Sequence, residues 1–460
     1  MKRGWEERSG DMNMSNYFNE FDTVSPQKLR EIQNERLRAL VDRCYREIPY
    51  YRDLFDRNNI KPKHIQTTED LAIVPFTEKK DLRALYPYGL LGVPLDRIHR
   101  FAASSGTTGV PTLVGFTKKD WTETLREQMG RIFIGMGFRR NDLIYQCAGY
   151  GLFMGGPGMD AGAEAIGATI FPAGPGRTLA AIQYLKDIGF QAITTTPSFV
   201  SYLVDVAVKN GIEPKKEWKL RTSHIGGEPA APALRRRVEA LMPKEFEWQE
   251  GYGITELGGP TVGHSCAYSR ESCELHILAD HYFVEVIDPA TGKRLEPGQE
   301  GELVVTTLTR EATPLIRWRT RDISAFSKNS YGCSCGRVAH PRIQRITGRT
   351  DDVLKVRSTL VFPSQVEDVI NSTQGIGEGW QIVIDRPKDS LDKITVHAEV
   401  QPDIWQDKGQ LKVIEEKIGQ GVYGRLGMNI KVVLHQPGSL PRYEGKAKRV
   451  LDQREFEGRH

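Results

Sequence analysis

Residues 104–112 read Ser104-Ser105-Gly106-Thr107-Thr108-Gly109-Val110-Pro111-Thr112. The stretch from Ser104 to Gly109 is all small residues, has no apolar periodicity and cannot pack a core. Glycine admits positive φ and lets the backbone approach a ligand, while hydroxyls and N–H groups point at its oxygens; such a run suits a phosphate. Ile98-His99-Arg100-Phe101-Ala102-Ala103 before it and Leu113-Val114-Gly115-Phe116 after it are strand-like. The loop is therefore expected between two strands. A Walker loop instead joins a strand to a helix and ends in Gly-Lys-Ser/Thr. Taken alone, the run reads equally well as a flexible Ser/Gly linker.

The chain has 460 residues, enough for two to four domain-sized units or one large domain with a small one. With 39% hydrophobic and 27% charged residues it has an ordinary globular composition. A net charge of +4, from 63 basic and 59 acidic residues, argues for neither nucleic acid nor an anionic membrane as partner. No apolar run approaches the roughly 20 residues that span a bilayer. The amino terminus, Met1-Lys2-Arg3-Gly4-Trp5-Glu6-Glu7, lacks the apolar core of a signal peptide, so a cytoplasmic protein is expected. The six cysteines are too few for a disulfide scaffold, and four of them fall between 266 and 335.

Residues 1–24 are polar, without a clear period, and are expected to be partly disordered. Ser25-Pro26 then starts a helix as cap and first residue, and apolar positions from Leu29 to Ile48 continue it to about Pro49. Between 70 and 340, strands are expected at 143–148, 168–172, 192–195 and 221–226, with helices at 159–166, 179–188 and about 232–242. Such alternation implies parallel sheets with crossover helices. A β-rich part follows at Tyr282–Ile287, Gly301–Leu308 and Ile316–Trp318. From about 350 the pattern is a helix near 364–372, strands at 380–385 and 393–400, a helix at 409–425 and a strand at 429–435. The predicted class is α/β: a large amino-terminal domain (1–348) of parallel-rich sheets plus the β-rich part, and a small mobile α+β domain (349–460). The polar, glycine-bearing segment Gly348-Arg349-Thr350-Asp351-Asp352 is the expected hinge, near Asp351.

Further segments bear on the opening loop. Glu250-Gly251-Tyr252-Gly253-Ile254-Thr255-Glu256 places an aromatic ring, a hydroxyl and a carboxylate on a glycine-punctuated turn. Trp318-Arg319-Thr320-Arg321-Asp322 sets one carboxylate after a basic segment, and Leu440-Pro441-Arg442-Tyr443-Glu444-Gly445-Lys446-Ala447-Lys448-Arg449 lies near the carboxyl end. Singly, Glu256 reads as a helix-start charge, Asp322 as half of a surface pair and Lys446 as a solvated lysine. In this order and spacing they resemble the adenylate-forming enzyme superfamily, and specifically its phenylacetate–CoA ligase branch. The branch markers are Thr309-Arg310-Glu311-Ala312, Cys333-Ser334-Cys335-Gly336-Arg337, Phe362-Pro363-Ser364-Gln365 and Glu444–Arg449. The resemblance covers roughly residues 25–452.

What the resemblance implies is ATP-dependent conversion of an aromatic carboxylic acid into an acyl-adenylate, releasing pyrophosphate, then transfer to CoA. A carboxylate is a poor acyl donor because oxide would have to leave; an acyl-adenylate expels AMP instead. By resemblance, Ser104, Ser105, Gly106, Thr107, Thr108 and Gly109 hold the β- and γ-phosphates, and Glu256 takes a Mg²⁺ that bridges phosphate oxygens. Gly227, Glu228 and Pro229 with Tyr252 and Gly253 frame adenine, and Thr255 lies near the α-phosphate. Asp322, with Arg349 nearby, accepts hydrogen bonds from the ribose hydroxyls. Lys446 stabilises charge during adenylation, after which the tail rotates about Asp351 for thioester formation. The family's Arg-Gly-Val-Asn-Val-Phe-Pro-Ser-Gln appears here as Arg357-Ser358-Thr359-Leu360-Val361-Phe362-Pro363-Ser364-Gln365. Ser358 in place of glycine is either a tolerated substitution or a sign that the adenylate goes to a non-CoA nucleophile: an amine, a carrier-protein thiol or a small inorganic species. A non-catalytic binding protein on the same fold is opposed by the retention of Lys446, Glu256 and Asp322 together.

Two weaker readings complete the set. Cys333, Cys335, Cys266 and His276 suit a structural Cys₃His zinc site, with Cys273 and His264 as rivals for the fourth place and a set of buried free thiols as the bland alternative. Tyr150, Gly151 and Phe153, in the glycine-rich run 149–158, are the expected wall of an aromatic acid pocket; they read equally as core residues. The expected partner is thus a small aromatic acid, with ATP, Mg²⁺, CoA and structural Zn²⁺. A homodimer is expected only by analogy with similar enzymes.

Overall fold

The computed structural model describes residues 17–104, 111–230, 232–350, 354–356, 359–361, 363–385, 392–426, 428–441 and 449–453. Ser25 and Pro26 begin α1 (Pro26–Glu47) as the sequence dictates: the Ser25 hydroxyl accepts the Lys28 N–H and proline takes the first turn, where its missing donor costs nothing. Ile48 is extended, as a residue before proline must be, so α1 stops and α2 (Pro49–Arg57) starts on Pro49. Ahead of α1, residues 20–23 form one 3₁₀ turn that delivers Asp22, fully buried, to the wholly buried Arg131 at 3.0 Å.

After α3 (Lys79–Ala84), β1 (Ile98–Ala103) and β2 (Leu113–Thr117) pair antiparallel with Ala103 opposite Leu113. The opening loop therefore lies between two strands, as the flanking residues require. Its neck is closed by Ser104 and Thr112: the Ser104 N–H donates to Thr112 O and the Thr112 N–H to Ser104 Oγ, both at 3.0 Å. Residues 105–110 are outside the described residues.

The next segment alternates helix and strand: α4 (Arg126–Gly135), β3 (Leu143–Gln146), α5 (Gly155–Ile166), β4 (Thr169–Phe171), α6 (Thr178–Ile188), β5 (Ala192–Thr195), α7 (Pro197–Lys209), α8 (Pro214–Glu217), β6 (Thr222–Gly226), α9 (Pro232–Leu241) and β7 (Glu250–Tyr252). These strands are mutually parallel, and β8 (Gly263–His264) and β9 (Leu275–Ile277) extend them antiparallel. An antiparallel meander follows, β10 (Tyr282–Ile287), β11 (Gly301–Thr307) and β12 (Trp318–Ser324). Then β13 (Arg342–Ile343) returns to the first sheet, giving the order β13-β9-β8-β7-β6-β5-β3-β4, and β14 (Gly348–Arg349) edges the second, β10-β11-β12-β14. Successive strand residues face opposite layers: Ile144 and Ala192 join the core beneath α4 and α5, whereas Tyr145 and Ile193 join the one beneath α6 and α7.

Of the boundaries that differ from the periodicity, two have a local cause. The helix expected from Met159 starts at Gly155, because Gly156 and Gly158 let it press on its neighbours; a Cβ would meet the Tyr150 ring at 2.8 Å and Pro260 at 2.4 Å. The strand expected over Ile316–Trp318 begins only at Trp318. The N–H groups of Ile316 and Arg317 donate to Tyr51 Oη and Thr306 Oγ1, and Arg317 takes φ +48°, so both are spent outside the ladder.

Beyond Thr350, β15 (Leu354–Val356) and β16 (Thr359–Val361) form a hairpin. The rest is α10 (Pro363–Ser372), β17 (Ile376–Asp385), β18 (Lys393–Val400), α11 (Lys408–Leu426), β19 (Lys431–His435) and β20 (Val450–Asp452), with sheet order β19-β18-β17-β20. Its apolar residues, among them Ile382, Val396 and Ile418, form a core separate from those of the larger part. The short β20 was not foreseen: three residues carry too little period to read.

Candidate active site

The carboxyl ends of β6 and β7 open into a cleft of about 1190 Å³. Ligands collect at this end of parallel sheets, where strand ends and loops converge. Gly227, Glu228 and Pro229, which follow β6, line the cleft together with Tyr252, Gly253, Asp322 and Arg349. The sheet register does the gathering. Asp322 on β12 pairs with Arg349 on β14, so their side chains share a face, and the Arg349 guanidinium donates to Asp322 Oδ1 at 2.6 Å. From the other sheet, the Tyr252 hydroxyl donates to Asp322 Oδ2 at 2.7 Å. Burial first, and then the Asp322 charge, push the Tyr252 phenol well above its ordinary pKa, so it stays a neutral donor.

Gly227 takes φ +86° where the chain turns from β6 toward α9, and Glu228 Oε1 accepts the Ser198 N–H at the start of α7 at 2.8 Å. Gly253 has no room for a side chain: a Cβ would lie 2.2 Å from Pro260 O. Thr255 and Glu256 stand on a 3₁₀ turn, Thr255–Leu257, both half-buried. The Glu256 carboxylate makes no hydrogen bond or ion pair with another described residue, which leaves it available to a cation. Tyr150 donates to Asp160 Oδ1 on α5 at 2.8 Å, while Phe153 is 44% exposed and Gly151, at φ +84°, has open space beside it. Tyr150 and Phe153 are thus not core residues in the ordinary sense. Ser105, Gly106, Thr107, Thr108 and Gly109, together with Asp351, Ser358 and Lys446, lie outside the described residues.

The cleft also contains groups that the sequence did not single out. Its far side is supplied by the tail, through Glu367 on α10, Trp380 on β17 and Arg449. Burial, aided by the charges of Glu228 and Asp368, pushes the Glu367 carboxyl up to about 7, against the opposing pull of Arg449 and Arg345. Glu250 lines the cleft too, and burial raises its carboxyl. No periodicity marks these residues, because only the packing of the tail on the larger part makes them neighbours. Of these, Glu250 and Arg449 stood in quoted motifs, though neither was given a role there.

Away from the cleft, Cys266, His276, Cys333 and Cys335 converge, their ligand atoms all within 4.8 Å of one another. Cys266 Sγ lies 3.8 Å from Cys333 Sγ and 3.6 Å from His276 Nε2, and Cys335 Sγ lies 3.4 Å from His276 Nε2. A tetrahedral zinc with its usual bond lengths requires about 3.8 Å between sulfurs and about 3.6 Å between sulfur and nitrogen. His276 Nδ1 faces the His340 carbonyl at 3.4 Å, which favours the tautomer that frees Nε2. Neither rival joins the group. Cys273 packs against the Arg235 guanidinium at 3.3 Å, and His264 is engaged through Nδ1 with Ser265 O at 2.9 Å.

Among the described residues no helix is long and apolar enough to cross a membrane. Family models match the chain in two places: AMP-binding enzyme over residues 101–309, and AMP-binding enzyme C-terminal domain over residues 358–454. A phenylacetate–coenzyme A ligase of Thermus thermophilus is 39% identical over 95% of this chain and 99% of its own, and that of Escherichia coli 33% identical over 95% and 98%. Among solved structures, 2-hydroxyisobutyryl-CoA ligase in its postadenylation state with bound 2-HIB-AMP superposes with a TM-score of 0.87, at 27% identity, over 98% of this chain and 95% of that one. The same enzyme with 2-HIB-AMP and CoA in its thioester-forming state gives 0.70. The fold and cleft are those of an AMP-binding enzyme. More narrowly, the chain belongs to the phenylacetate–coenzyme A ligase family of such enzymes.

Proposed function

We propose that this protein activates an aromatic carboxylic acid with ATP and passes the acyl group to coenzyme A. A carboxylate oxygen attacks the α-phosphorus, the bond to the bridging pyrophosphate oxygen breaks, and acyl-AMP remains. The CoA sulfur then attacks the acyl carbon, its proton is lost, and AMP leaves. The observation that carries this reading is the Tyr252–Asp322–Arg349 set that lines the cleft. It offers a fixed carboxylate to a pair of vicinal hydroxyls beside the Gly227–Pro229 turn, in a chain alike over nearly its whole length to CoA ligases.

In this reading Asp322 binds the ribose, Gly227, Glu228, Pro229, Tyr252 and Gly253 frame adenine, and Thr255 meets the α-phosphate. Ser104–Gly109 hold the outer phosphates, and Lys446 neutralises charge as the α-phosphorus is attacked. Glu256, without a partner among the described residues, suits a hard cation, so it is the residue that would hold Mg²⁺, which when bound offsets triphosphate charge. Tyr150, Gly151 and Phe153 face the acid. The Cys266, His276, Cys333 and Cys335 donors suit zinc in a closed, structural role that ties β8–β9 to the 333–335 turn. Residues 1–348 act as the adenylating body and 349–460 as a unit that turns near Asp351, in the cytoplasm. ATP–pyrophosphate exchange across a panel of aromatic acids, with mass spectrometry of the CoA products, tests this. Lys446→Ala should lower exchange at least a thousandfold and spare CoA transfer from preformed acyl-adenylate. Absence of exchange with every aromatic acid would overturn the reading.

A further inference from the structure

Arg310 lies on the connection between β11 and β12 and is only 2% exposed. Among the described residues no carboxylate pairs with its guanidinium. The backbone around it is fixed from three sides. The Arg310 and Glu311 carbonyls accept from the Arg43 guanidinium of α1 at 2.5 and 2.6 Å. The Glu311 and Ala312 N–H groups donate to the Asp120 carboxylate, both at 2.9 Å, and the Gly115 N–H of β2 donates to Thr313 Oγ1 at 2.9 Å. The guanidinium is thereby delivered to one place. Its Nη2 donates to Gly115 O at 2.7 Å and its Cζ lies 4.0 Å over the Phe116 ring, both on β2. It also presses on Gly258, where a Cβ would come within 2.4 Å of Arg310 Cζ. Gly258, at φ +77°, closes the Thr255–Leu257 turn, and its N–H donates to Thr255 O at 2.9 Å. Arg310 Nε, buried, makes no hydrogen bond.

A buried cation without an opposite charge is costly, and one carbonyl and a ring face offset only part of that cost. A strut alone would need no charge: a neutral side chain of similar length would fill the space between Phe116 and Gly258 at lower cost. The turn against which the guanidinium lies carries Thr255 and Glu256, read above as meeting the α-phosphate and Mg²⁺ of ATP. We infer that Arg310 is a positioning residue for adenylation: it locks the Thr255–Leu257 turn to β2 and holds behind that turn a fixed positive charge, which the polyphosphate of ATP balances. A charge set in place beforehand needs no reorganisation when the anion arrives, and away from water it acts over a longer range. Its effect therefore grows with the charge of the ligand, and falls on the first half-reaction. The inference rests on the roles proposed above for Thr255 and Glu256.

Calorimetry on the full-length enzyme in excess Mg²⁺ compares inorganic pyrophosphate, the more highly charged fragment of ATP, with AMP. Arg310→Gln removes the charge; it should weaken pyrophosphate binding about tenfold or more and AMP binding no more than about threefold. Arg310→Lys keeps the charge and loses the flat contact with Phe116 and Gly258, so it should hold pyrophosphate within about threefold of the parent. In kinetics with phenylacetate as the acid, Arg310→Gln should raise KM for ATP in pyrophosphate exchange about tenfold. CoA transfer from synthetic phenylacetyl-adenylate should stay within about twofold. Equal loss of pyrophosphate and AMP, Arg310→Lys as weak as Arg310→Gln, or unchanged pyrophosphate affinity in Arg310→Gln would overturn the inference. Arg310→Met, whose apolar stem suits the Phe116 face, is the neutral variant that reports if Arg310→Gln fails to fold. The parent enzyme separates the two levels. If it neither exchanges nor binds pyrophosphate, the reading of the site fails and this inference with it. If it does both while Arg310→Gln behaves normally, only the role of Arg310 fails.

Discussion

Asp322, on one wall of the cleft, is held by Tyr252 at 2.7 Å and Arg349 at 2.6 Å, all three placed by strand register. Asp368, on the tail side, reaches Arg345 of the larger part only at 3.7 Å, while Arg425 of its own unit holds it at 3.0 Å. One wall is preorganised within the large sheets; the other is a docked surface with polar contacts of longer range and a carboxyl, Glu367, that burial has pushed up to about 7. The solved 2-hydroxyisobutyryl-CoA ligase superposes with a TM-score of 0.87 in its postadenylation state and 0.70 in its thioester-forming state, so this chain lies nearer the first. A fixed wall suits recognition of a nucleotide that stays in place through both steps. A loosely docked wall suits the turning unit proposed above.

The contrast can be broken at four points. The largest effect is expected far from the cleft, at Arg131, which is buried with Asp22 at 3.0 Å and Asp280 at 2.9 Å. Arg131→Met strands two buried carboxylates and should cost about 3–5 kcal/mol of stability in chemical denaturation. A loss below ~1 kcal/mol would mean that the larger part is not rigidified there. Next, Asp322→Asn should reduce kcat/KM for ATP about 10–100-fold, by weakening charge-assisted hydrogen bonds. An unchanged value removes Asp322 from nucleotide binding.

The remaining two concern the docked side. Because the Glu367 carboxyl is raised, its protonated form is the one that docking favours. Docking should therefore be fullest below about pH 4.5 and weaken as pH rises through about 7. Energy transfer between labels on α9 and α11 should follow that curve and flatten in Glu367→Gln; a pH-independent signal in the parent would contradict it. Smallest of all, Arg345→Ala removes a partly exposed 3.7 Å pair, a contact of about 0–1 kcal/mol. It should shift the ratio of the two half-reaction rates no more than about fivefold. A far larger shift would make this pair the latch.

Local chemistry was legible where it is local. Ser25-Pro26 capped its helix, the Ser104–Gly109 run proved to be set in a hairpin, and helices and strands from 143 to 226 fell within a few residues of their pattern. The segment Gly348–Arg349 read as the start of a hinge, yet it is an edge strand that carries Arg349 to Asp322. Two residues are too few to show a period. Glu367 and Trp380 gave no signal either, since each is an ordinary residue of a helix or strand until another element packs on it. The Cys-x-Cys pair at 333–335 hinted at a metal, with His276 as the expected fourth ligand and His264 and Cys273 as rivals that spacing alone did not exclude. The choice follows from β9 pairing with β8 and β13, which brings His276 to the thiols while His264 turns to its own neighbour's carbonyl.

The sequence by itself thus carried the marks of the chemical class: a run of glycine and hydroxyls, a carboxylate after a basic segment, a lysine near the end, and an alternating pattern that builds a parallel sheet. Those are properties of residue type and short spacing, which the chain carries wherever it goes. Only the tertiary structure decided that Tyr252, Asp322 and Arg349 form one unit and that four donors from three segments share one point. Such pairings depend on register. They are set by which strands lie side by side, and no local stretch of sequence records that.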